Sequence, residues 1–305
     1  MIEHLCNTDR TSDISSISGC THMVTLIGNP TRHSLSPAMH NLSFVRAGVD
    51  AIYLCFDVAD EVELPMVINA LKCMEGWDGT NVTMPYKQAI MPLLTEIDDA
   101  AKLIGAVNVV RCRNGITTGF NCDGLVFLQS VLKRGVDLAG KKVTLIGCGG
   151  AGSAILVQAA FDGVAIIDVF EVAGSQGAQN VRDLIPKLAQ KSTCSINLFT
   201  VDDMDALKAS VETSDILVNA SPVGMGRARN ATPVPANFIK PGMVVADAIY
   251  YPKETQLLKD AAAKDCLTVS GVGMLLEQAA VTEKILYDVE MDTAYVEQEL
   301  FADEV

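Results

Sequence analysis

The chain has 305 residues, a hydrophobic content of 49% and a formal net charge of −14 at pH 7. This length exceeds the roughly 100 to 200 residues of a usual single domain, so two domains are expected. The acidic balance repels a phosphate backbone, and no cluster of Lys and Arg offsets it locally. Nucleic acid is therefore excluded as an expected partner.

The nine cysteines are scattered along the chain, with no C-x-x-C pair and no zinc spacing. This pattern indicates reduced thiols and predicts no metal site. Residues 1–18 form a polar leader that lacks the basic start and apolar stretch of a signal peptide. Uninterrupted apolar runs long enough to span a bilayer are absent from the sequence. We expect a cytoplasmic protein, monomeric or homodimeric, that does not bind membranes.

The first 120 residues alternate strand and helix patterns. Apolar runs predict buried strands at 23–28 and 51–58, and the segment from Trp77 to Lys87 is expected to be extended. Helical patterns occur at 37–48, 60–74 and 87–103. The segment around Asn114-Gly115 predicts a short hairpin, because this dipeptide favours the tight turn between two strands.

The second half of the chain contains six short apolar runs, with room for helices between most of them. They lie at 143–147, 165–170, 195–199, 215–219, 243–247 and 267–270. A glycine-rich turn follows the first run, which is typical of a doubly wound nucleotide-binding sheet. The residues from Met274 onward look helical.

These patterns predict an α/β protein with two domains. Residues 1–124 and 274–305 are expected to form an N-terminal α/β substrate-binding domain, with the C-terminal helices packing back on it. Residues 125–273 are expected to form a doubly wound, Rossmann-type dinucleotide-binding domain.

Gly147, Gly149 and Gly152 form a G-x-G-x-x-G pattern between an apolar strand and an Ala/Ile/Leu-rich helix. The glycines permit a tight turn and close approach of the backbone to a pyrophosphate, and the helix N-terminus offers free N–H groups. This context predicts a dinucleotide site. The alternative is a glycine-rich turn that only packs strand against helix.

An acidic residue, Glu171, stands 19 residues beyond Gly152, at the end of the next strand. A carboxylate there accepts hydrogen bonds from the adenosine ribose and repels a 2′-phosphate, so we expect NAD rather than NADP. Asp168 is the competing candidate, but it lies in the middle of the strand. No Arg follows Glu171 directly, and the first one, Arg182, is eleven residues further along the chain.

Four polar segments of the first domain stand where loops are expected after strands: GNPTRHSLSPAMHN, NVTMPYK, GAVN and GFNCDG. An enzyme that oxidises an alcohol needs a proton acceptor near the hydroxyl, donors for any carboxylate, and partners for other hydroxyls. These residue types are supplied by Ser34, Ser36, Thr83, Lys87, Asn108 and Asp123.

The four segments, in this order and spacing, resemble the shikimate dehydrogenase family, in particular its quinate/shikimate dehydrogenase branch. The resemblance covers about residues 19 to 290 and includes the segments GCGGAGSA, NASPVGM, DAIYYPKETQLL and GVGMLLEQA. It implies that Ser34 and Ser36 hold the substrate carboxylate and that Lys87 and Asp123 form the catalytic pair. Either member of that pair could carry the proton.

The resemblance also implies roles for further residues. Thr83, Asn108 and Gln278 would bind ring hydroxyls, and Tyr250 would line the pocket near the carboxylate. The cofactor would contact Gly147, Cys148, Gly149, Gly150, Ala151, Gly152, Glu171, Asn219, Ser221, Met225 and Gly271. Relatives that use NADP have Asn-Arg where this chain has Glu171-Val172, which again favours NAD.

The sequence therefore predicts an oxidoreductase that exchanges hydride between NAD and shikimate, quinate or both. The alternatives are a strictly biosynthetic NADP-dependent shikimate dehydrogenase, a folate-type dehydrogenase, and a non-catalytic regulatory protein that senses a dinucleotide. His33 and His40 invite a catalytic interpretation because histidine titrates near neutrality. The resemblance gives their segment to carboxylate binding by the serines, so a packing role is expected for both.

Overall fold

The computed structural model of the chain describes residues 17–301, which form two compact units. Residues up to Asn121, together with those from Ala279 onward, belong to the first unit. Cys122–Gln278 form the second unit. Each unit contains a six-stranded sheet. The leader, residues 1–18, falls almost entirely outside the described residues.

The first unit is built on a mixed sheet. Its strands are β1 (His22–Gly28), β2 (Ala51–Asp57), β3 (Trp77–Val82), β4 (Glu96–Ile97), β5 (Val109–Arg113) and β6 (Ile116–Phe120). Their order is β2-β1-β3-β5-β6-β4. β1 pairs in parallel with β2 and β3, whereas β5 is antiparallel to β3 and β6. The carboxyl ends of β1 and β3 therefore meet at one edge of the sheet.

Three helices accompany this sheet: α1 (Ser36–Ala47), α2 (Leu64–Lys72) and α3 (Asp99–Ile104). Helix α1 begins with Ser36-Pro37 and ends at Gly48, which adopts a left-handed conformation with φ 69°. Pro in the first turn and Gly just past the end are common helix boundary signals. The hairpin at Asn114-Gly115 is confirmed, and both residues have positive φ, as a tight hairpin turn requires.

The predicted helix over 87–103 is wrong for most of its length. A short 3-10 turn covers Met91–Leu93, and Glu96–Ile97 form β4, which pairs in parallel with β6. The helix starts only at Asp99, where the Asp98 side chain caps it by accepting a hydrogen bond from the Ala100 N–H. A sheet partner distant in the sequence thus overrides the local helical pattern.

The second unit is built on an all-parallel sheet. Its strands are β7 (Lys142–Ile146), β8 (Ile166–Glu171), β9 (Ser195–Thr200), β10 (Ile216–Asn219), β11 (Val244–Asp247) and β12 (Leu267–Val269). Their order is β12-β11-β10-β7-β8-β9. The predicted doubly wound sheet is confirmed. The strand order reverses between β7 and β10, and such a switch point is where nucleotides bind in these sheets.

Helices connect the strands of this sheet and continue to the end of the described chain. They are α4 (Asp123–Leu132), α5 (Gly150–Phe161), α6 (Gln176–Leu188), α7 (Met204–Thr213), α8 (Gln256–Ala262), α9 (Val272–Tyr287) and α10 (Thr293–Phe301). On α9, Glu283 accepts a hydrogen bond of 2.6 Å from Ser43 on α1. Arg46 on α1 pairs with Asp292 just before α10. The predicted packing of the C-terminal helices on the first domain is therefore confirmed.

The strands at the centre of each sheet are buried on both faces. In β1 the last five residues are all buried, and in β3 every residue is. Strands buried on both faces often appear as apolar runs, and β1 does, which made its position predictable, whereas β3 has the largely polar sequence WDGTNV. None of the helices in residues 17–301 combines the length and the apolar composition needed to cross a bilayer.

Candidate active site

The glycine-rich turn that joins β7 to α5 is shaped by two close backbone approaches. Gly147 has φ +85°, and a Cβ there would lie 2.9 Å from atoms of Ser221. A Cβ on Gly152 would lie 2.2 Å from the carbonyl oxygen of Gly147. A side chain would therefore collide at either position, so glycine is required at both.

The N-terminus of α5 opens beside this turn. Gly149 occupies the N-cap position and brings no side chain that could cap the helix. Cβ atoms added at Gly149 or Gly150 would meet nothing within 4 Å. Uncapped N–H groups at a helix N-terminus, next to open space, fit the diphosphate of a dinucleotide. The residues present therefore fit the predicted cofactor.

Glu171 ends β8 and is tied to the glycine-rich turn. Its carboxylate accepts hydrogen bonds from the N–H groups of Cys148, at 2.6 Å, and Val172, at 2.8 Å. The competing residue, Asp168, lies inside the sheet, where it binds Lys142 at 2.8 Å and Ser210 at 2.7 Å. Of the two carboxylates, only Glu171 is bonded to the glycine-rich turn.

A recess of about 370 Å³ lies beside Glu171. Arg182, on α6, lines it together with Phe199 and Thr200 at the end of β9. Arg182 follows Glu171 by eleven residues in sequence, but the turn into α6 brings it back to the end of β8. A cation therefore shares the recess with the carboxylate.

Asn219 and Ser221 border the same turn from the other side of the switch point. Asn219 ends β10, and its side-chain oxygen accepts hydrogen bonds from both the N–H and the hydroxyl of Ser221. Gly271, just before α9, would place a Cβ 2.7 Å from the carbonyl oxygens of Ala248 and Ile249. Met225 is 46% exposed and stands further out on the loop.

In the first unit, the two serines lie at the start of α1, after the carboxyl end of β1. The Ser34 hydroxyl donates to the Ser36 hydroxyl at 3.1 Å, and both residues are half-buried. Burial raises the pKa of the nearby Tyr53, and a hydrogen bond from Ser36 opposes that shift. Two adjacent hydroxyls can bind a carboxylate without placing a second charge beside it.

Backbone hydrogen bonds hold Thr83, Lys87 and Asn108 near the carboxyl end of β3. The Thr83 N–H donates to the Ile27 carbonyl at 2.9 Å, and the Val107 N–H donates to the Lys87 carbonyl at 2.8 Å. The Asn108 carbonyl accepts from the Val82 N–H at 2.9 Å. These bonds hold the backbone of the three residues at one edge of the sheet.

Asp123 and Gln278 form a pair in the second unit. Asp123 begins α4 and is buried, and its carboxylate accepts a hydrogen bond of 3.0 Å from the Gln278 side chain. Tyr250 belongs to the same unit and is 66% exposed. Lys87 and Asp123, the predicted catalytic pair, thus come from different units of the chain.

His40 lies inside the first unit and His33 on its surface. The His40 ring stacks on Tyr53 with centroids 4.3 Å apart, and its Nδ1 lies 2.8 Å from Glu283. Tyr53 in turn donates to the side-chain oxygen of Asn81 at 2.8 Å. Tyr53, Asn81 and Glu283 are contacts of the site that were absent from the sequence prediction, because their partners lie on distant elements.

Asp247 contacts a predicted site residue, but the sequence prediction did not include it. It ends β11 and binds the side chain of Asn219 at 3.0 Å. A signal was present, since an acidic residue that closes the apolar run MVVAD lies at the carboxyl edge of the predicted sheet.

Comparison with known proteins gives consistent matches. Residues 26–110 match the family model of the shikimate dehydrogenase substrate binding domain. A protein of Listeria monocytogenes serotype 4b (strain F2365), named shikimate dehydrogenase (NADP(+)), is 38% identical over 93% of this chain and 97% of its own. A Streptococcus suis (strain 05ZYH33) protein of the same name is 37% identical over 87% and 90% of the two chains.

Solved structures agree with these sequence matches. Shikimate 5-dehydrogenase from Listeria monocytogenes in complex with shikimate and NAD aligns with a TM-score of 0.89 and 38% identity, over 93% of this chain and 98% of that one. Quinate dehydrogenase from Corynebacterium glutamicum in complex with NAD aligns with a TM-score of 0.81 and 27% identity, over 92% and 99%.

The predicted preference for NAD over NADP is wrong. The Listeria and Streptococcus relatives are both named for NADP(+). The prediction assumed a free carboxylate at Glu171 and no cation within reach. In the structure two backbone N–H groups bind that carboxylate, and Arg182 lines the same recess.

Identity of 38% over nearly the whole chain, a matching substrate-domain model and a shared fold lead to one conclusion. The chain belongs to the shikimate dehydrogenase family of oxidoreductases.

Proposed function

We propose that this protein is an NADP-dependent shikimate dehydrogenase, which oxidises one hydroxyl of shikimate to a ketone and runs the reaction in reverse. The observation that carries the proposal is that Thr83, Lys87 and Asn108 are all held by backbone hydrogen bonds at the carboxyl end of β3. The Listeria and Streptococcus relatives support both the substrate and the cofactor, because they are named shikimate dehydrogenase (NADP(+)).

Ser34 and Ser36 are proposed to bind the substrate carboxylate. Their hydroxyls bond to each other, at 3.1 Å, and can both turn to donate to an incoming anion. Because neither serine is charged, the substrate can be held without an added charge near the reacting carbon. Tyr250 would line the pocket on the carboxylate side.

Lys87 and Asp123 are proposed as the catalytic residues at the reacting hydroxyl. A lysine ammonium can stabilise the alkoxide-like oxygen, and either side chain can take or return the hydroxyl proton. The bond from Gln278 fixes the carboxylate of Asp123. Thr83, Asn108 and Gln278 would bind the remaining ring hydroxyls.

The second unit is proposed as the nucleotide-binding domain and the first as the substrate-binding domain. The diphosphate would be held by Gly147, Cys148, Gly149, Gly150, Ala151 and Gly152. The rest of the dinucleotide would contact Glu171, Asn219, Ser221, Met225 and Gly271. When bound, this cofactor supplies the hydride acceptor for alcohol oxidation.

Quinate is proposed as a second substrate. The structural match to the Corynebacterium quinate dehydrogenase covers 92% of this chain at 27% identity. Quinate shares the carboxylate and ring hydroxyls that the proposed residues would bind. A cytoplasmic location stays a prediction from the sequence.

Steady-state assays with purified protein test the proposal. Shikimate and quinate are each supplied with NADP⁺ and with NAD⁺, and the reduced nicotinamide is followed by absorbance. We expect turnover of shikimate with NADP⁺ and slower turnover of quinate. No turnover with either substrate, by protein that binds NADP⁺, would refute the proposal and favour a dinucleotide-sensing role.

A further inference from the structure

Asp247 is a buried carboxylate to which the proposed function gives no role. Its side chain is fully buried at the end of β11. Burial raises its pKa, and hydrogen bonds from Thr255, Ile249 and Asn219 reduce that shift without cancelling it. A carboxylate kept in such surroundings needs several donors, and these donors come from three separate segments.

The three donors lie on different stretches of the chain. Oδ1 of Asp247 accepts from the Asn219 side chain at 3.0 Å and from the Ile249 N–H at 3.0 Å. Oδ2 accepts from the Thr255 hydroxyl at 2.7 Å. Asn219 ends β10, Ile249 lies in the turn after β11, and Thr255 caps α8. One carboxylate thus ties three segments together.

The first of these segments leads to the glycine-rich turn. With its amide group bound to Asp247, Asn219 presents its oxygen to the N–H of Ser221 at 3.0 Å and to the Ser221 hydroxyl at 2.7 Å. Ser221 is the residue against which a Cβ on Gly147 would collide. The position of Ser221 beside the cofactor turn therefore depends on the orientation of Asn219.

The second segment supports Gly271. The Asp247 bond to Ile249 fixes the turn after β11, and the carbonyls of Ala248 and Ile249 closely approach Gly271. Loss of the carboxylate would release this turn and the Asn219–Ser221 loop at the same time.

Both segments lie in one half of the sheet. A doubly wound sheet binds a dinucleotide across the switch point, one mononucleotide to each half. The glycine-rich turn and Glu171 belong to the half made of β7, β8 and β9, which takes the adenosine side. The loops after β10 and β11, which Asp247 holds, belong to the half that takes the nicotinamide nucleotide.

We propose that Asp247 is a positioning residue, which fixes the Asn219–Ser221 loop and the turn beneath Gly271 for the nicotinamide half of the cofactor. Asp247 would touch neither cofactor nor substrate itself. The inference rests on the proposed function only in requiring that the second unit binds a dinucleotide.

The test compares binding of NADP⁺ and of ADP, which lacks the nicotinamide nucleotide, by titration calorimetry. ADP here stands for the adenosine 5′-diphosphate of NADP⁺, without its 2′-phosphate and its nicotinamide nucleotide. In Asp247→Ala we expect the Kd for NADP⁺ to rise about thirtyfold and the Kd for ADP to change less than about twofold. Asp247→Asn should raise the Kd for NADP⁺ only about threefold. Its carbonyl can accept from Asn219 and Ile249, and its NH₂ group can donate to the Thr255 oxygen.

Asp168 provides a matched control. It is a buried carboxylate on β8 of the same sheet, and it is bound by Lys142, Asn197 and Ser210. Asp168→Ala should destabilise the protein but leave the ratio of NADP⁺ to ADP affinity unchanged. If Asp247→Ala does not fold, Asp247→Asn is compared with Asp168→Asn instead. A rise of about threefold in the Kd for NADP⁺ is expected only in Asp247→Asn.

Equal weakening of NADP⁺ and ADP in Asp247→Ala, or no weakening of either, would overturn the inference. A wild-type protein that binds NADP⁺ without oxidising shikimate would refute the proposed function. The calorimetric comparison would still test the positioning role of Asp247. A wild-type protein that does not bind NADP⁺ would overturn both.

Discussion

The buried contacts of Glu283 tie α9 to α1 at the level of single residues. Its carboxylate accepts from Nδ1 of His40 at 2.8 Å and from the Ser43 hydroxyl at 2.6 Å, and both partners are buried. His40 stacks on Tyr53, and Tyr53 forms hydrogen bonds with Ser36 and Asn81. The same contacts that hold the C-terminal helix therefore also support the proposed carboxylate site.

Replacing Glu283 with alanine should destabilise the protein strongly. The substitution leaves a buried imidazole and a buried hydroxyl without their acceptor. We expect the free energy of unfolding to fall by about 3 kcal/mol, measured by urea denaturation. The next residue offers a control, because Lys284 pairs with Asp288 and Glu290 on the surface. Lys284→Ala should change stability little, and a Glu283→Ala protein as stable as Lys284→Ala would contradict the account.

Residue types together with the family resemblance made Ser34, Ser36, Lys87 and Asp123 candidates from the sequence, and their roles stay predictions. The buried contacts that hold the surrounding structure were not predictable from the sequence. Glu283 and His40 are 243 positions apart, and only the folded chain brings them together. Arg182 was discounted for the same reason, since its distance along the sequence from Glu171 hid its place in the same recess.

At the scale of elements, the turn between β7 and α5 contains two kinds of glycine. Some are needed for the fold, and others are available for binding. Gly152→Ala would push a Cβ to 2.2 Å from the Gly147 carbonyl, so stability should drop by about 2 kcal/mol. A Cβ at Gly149 meets nothing within 4 Å, so Gly149→Ala should keep the fold.

Binding should separate the two glycine variants further. The second glycine of the pattern lets the backbone approach a pyrophosphate, so Gly149→Ala should raise the Kd for NADP⁺ about tenfold at nearly unchanged stability. Thermal unfolding and calorimetric titration measure the two effects. Wild-type affinity in Gly149→Ala would show that this turn does not hold the diphosphate.

Elements with strong local signals were predicted correctly, and those set by distant partners were not. The strands β1, β7 and β10 are mostly apolar runs, and the Asn114-Gly115 hairpin has its turn residues in sequence. The segment 87–103 looks helical by itself, but β6 draws Glu96 and Ile97 into the sheet. Local pattern cannot reveal such a partner.

At the scale of the whole molecule, the order of the second sheet has its switch point between β7 and β10, where the proposed dinucleotide site lies. The sequence predicted this arrangement because six apolar runs follow one another after a glycine-rich turn. The preference between NAD and NADP was not predicted correctly. It depends on which groups bind the Glu171 carboxylate and which charged side chains lie beside it in the folded unit.

The most direct measurement of the central claim is the kinetics of Lys87→Met with shikimate and NADP⁺, because methionine keeps much of the side-chain length and removes the ammonium. If Lys87 acts at the reacting hydroxyl, kcat should fall by about a thousandfold, while the Kd for NADP⁺ stays at its wild-type value. A variant that keeps its kcat would contradict the account and remove Lys87 from the chemistry.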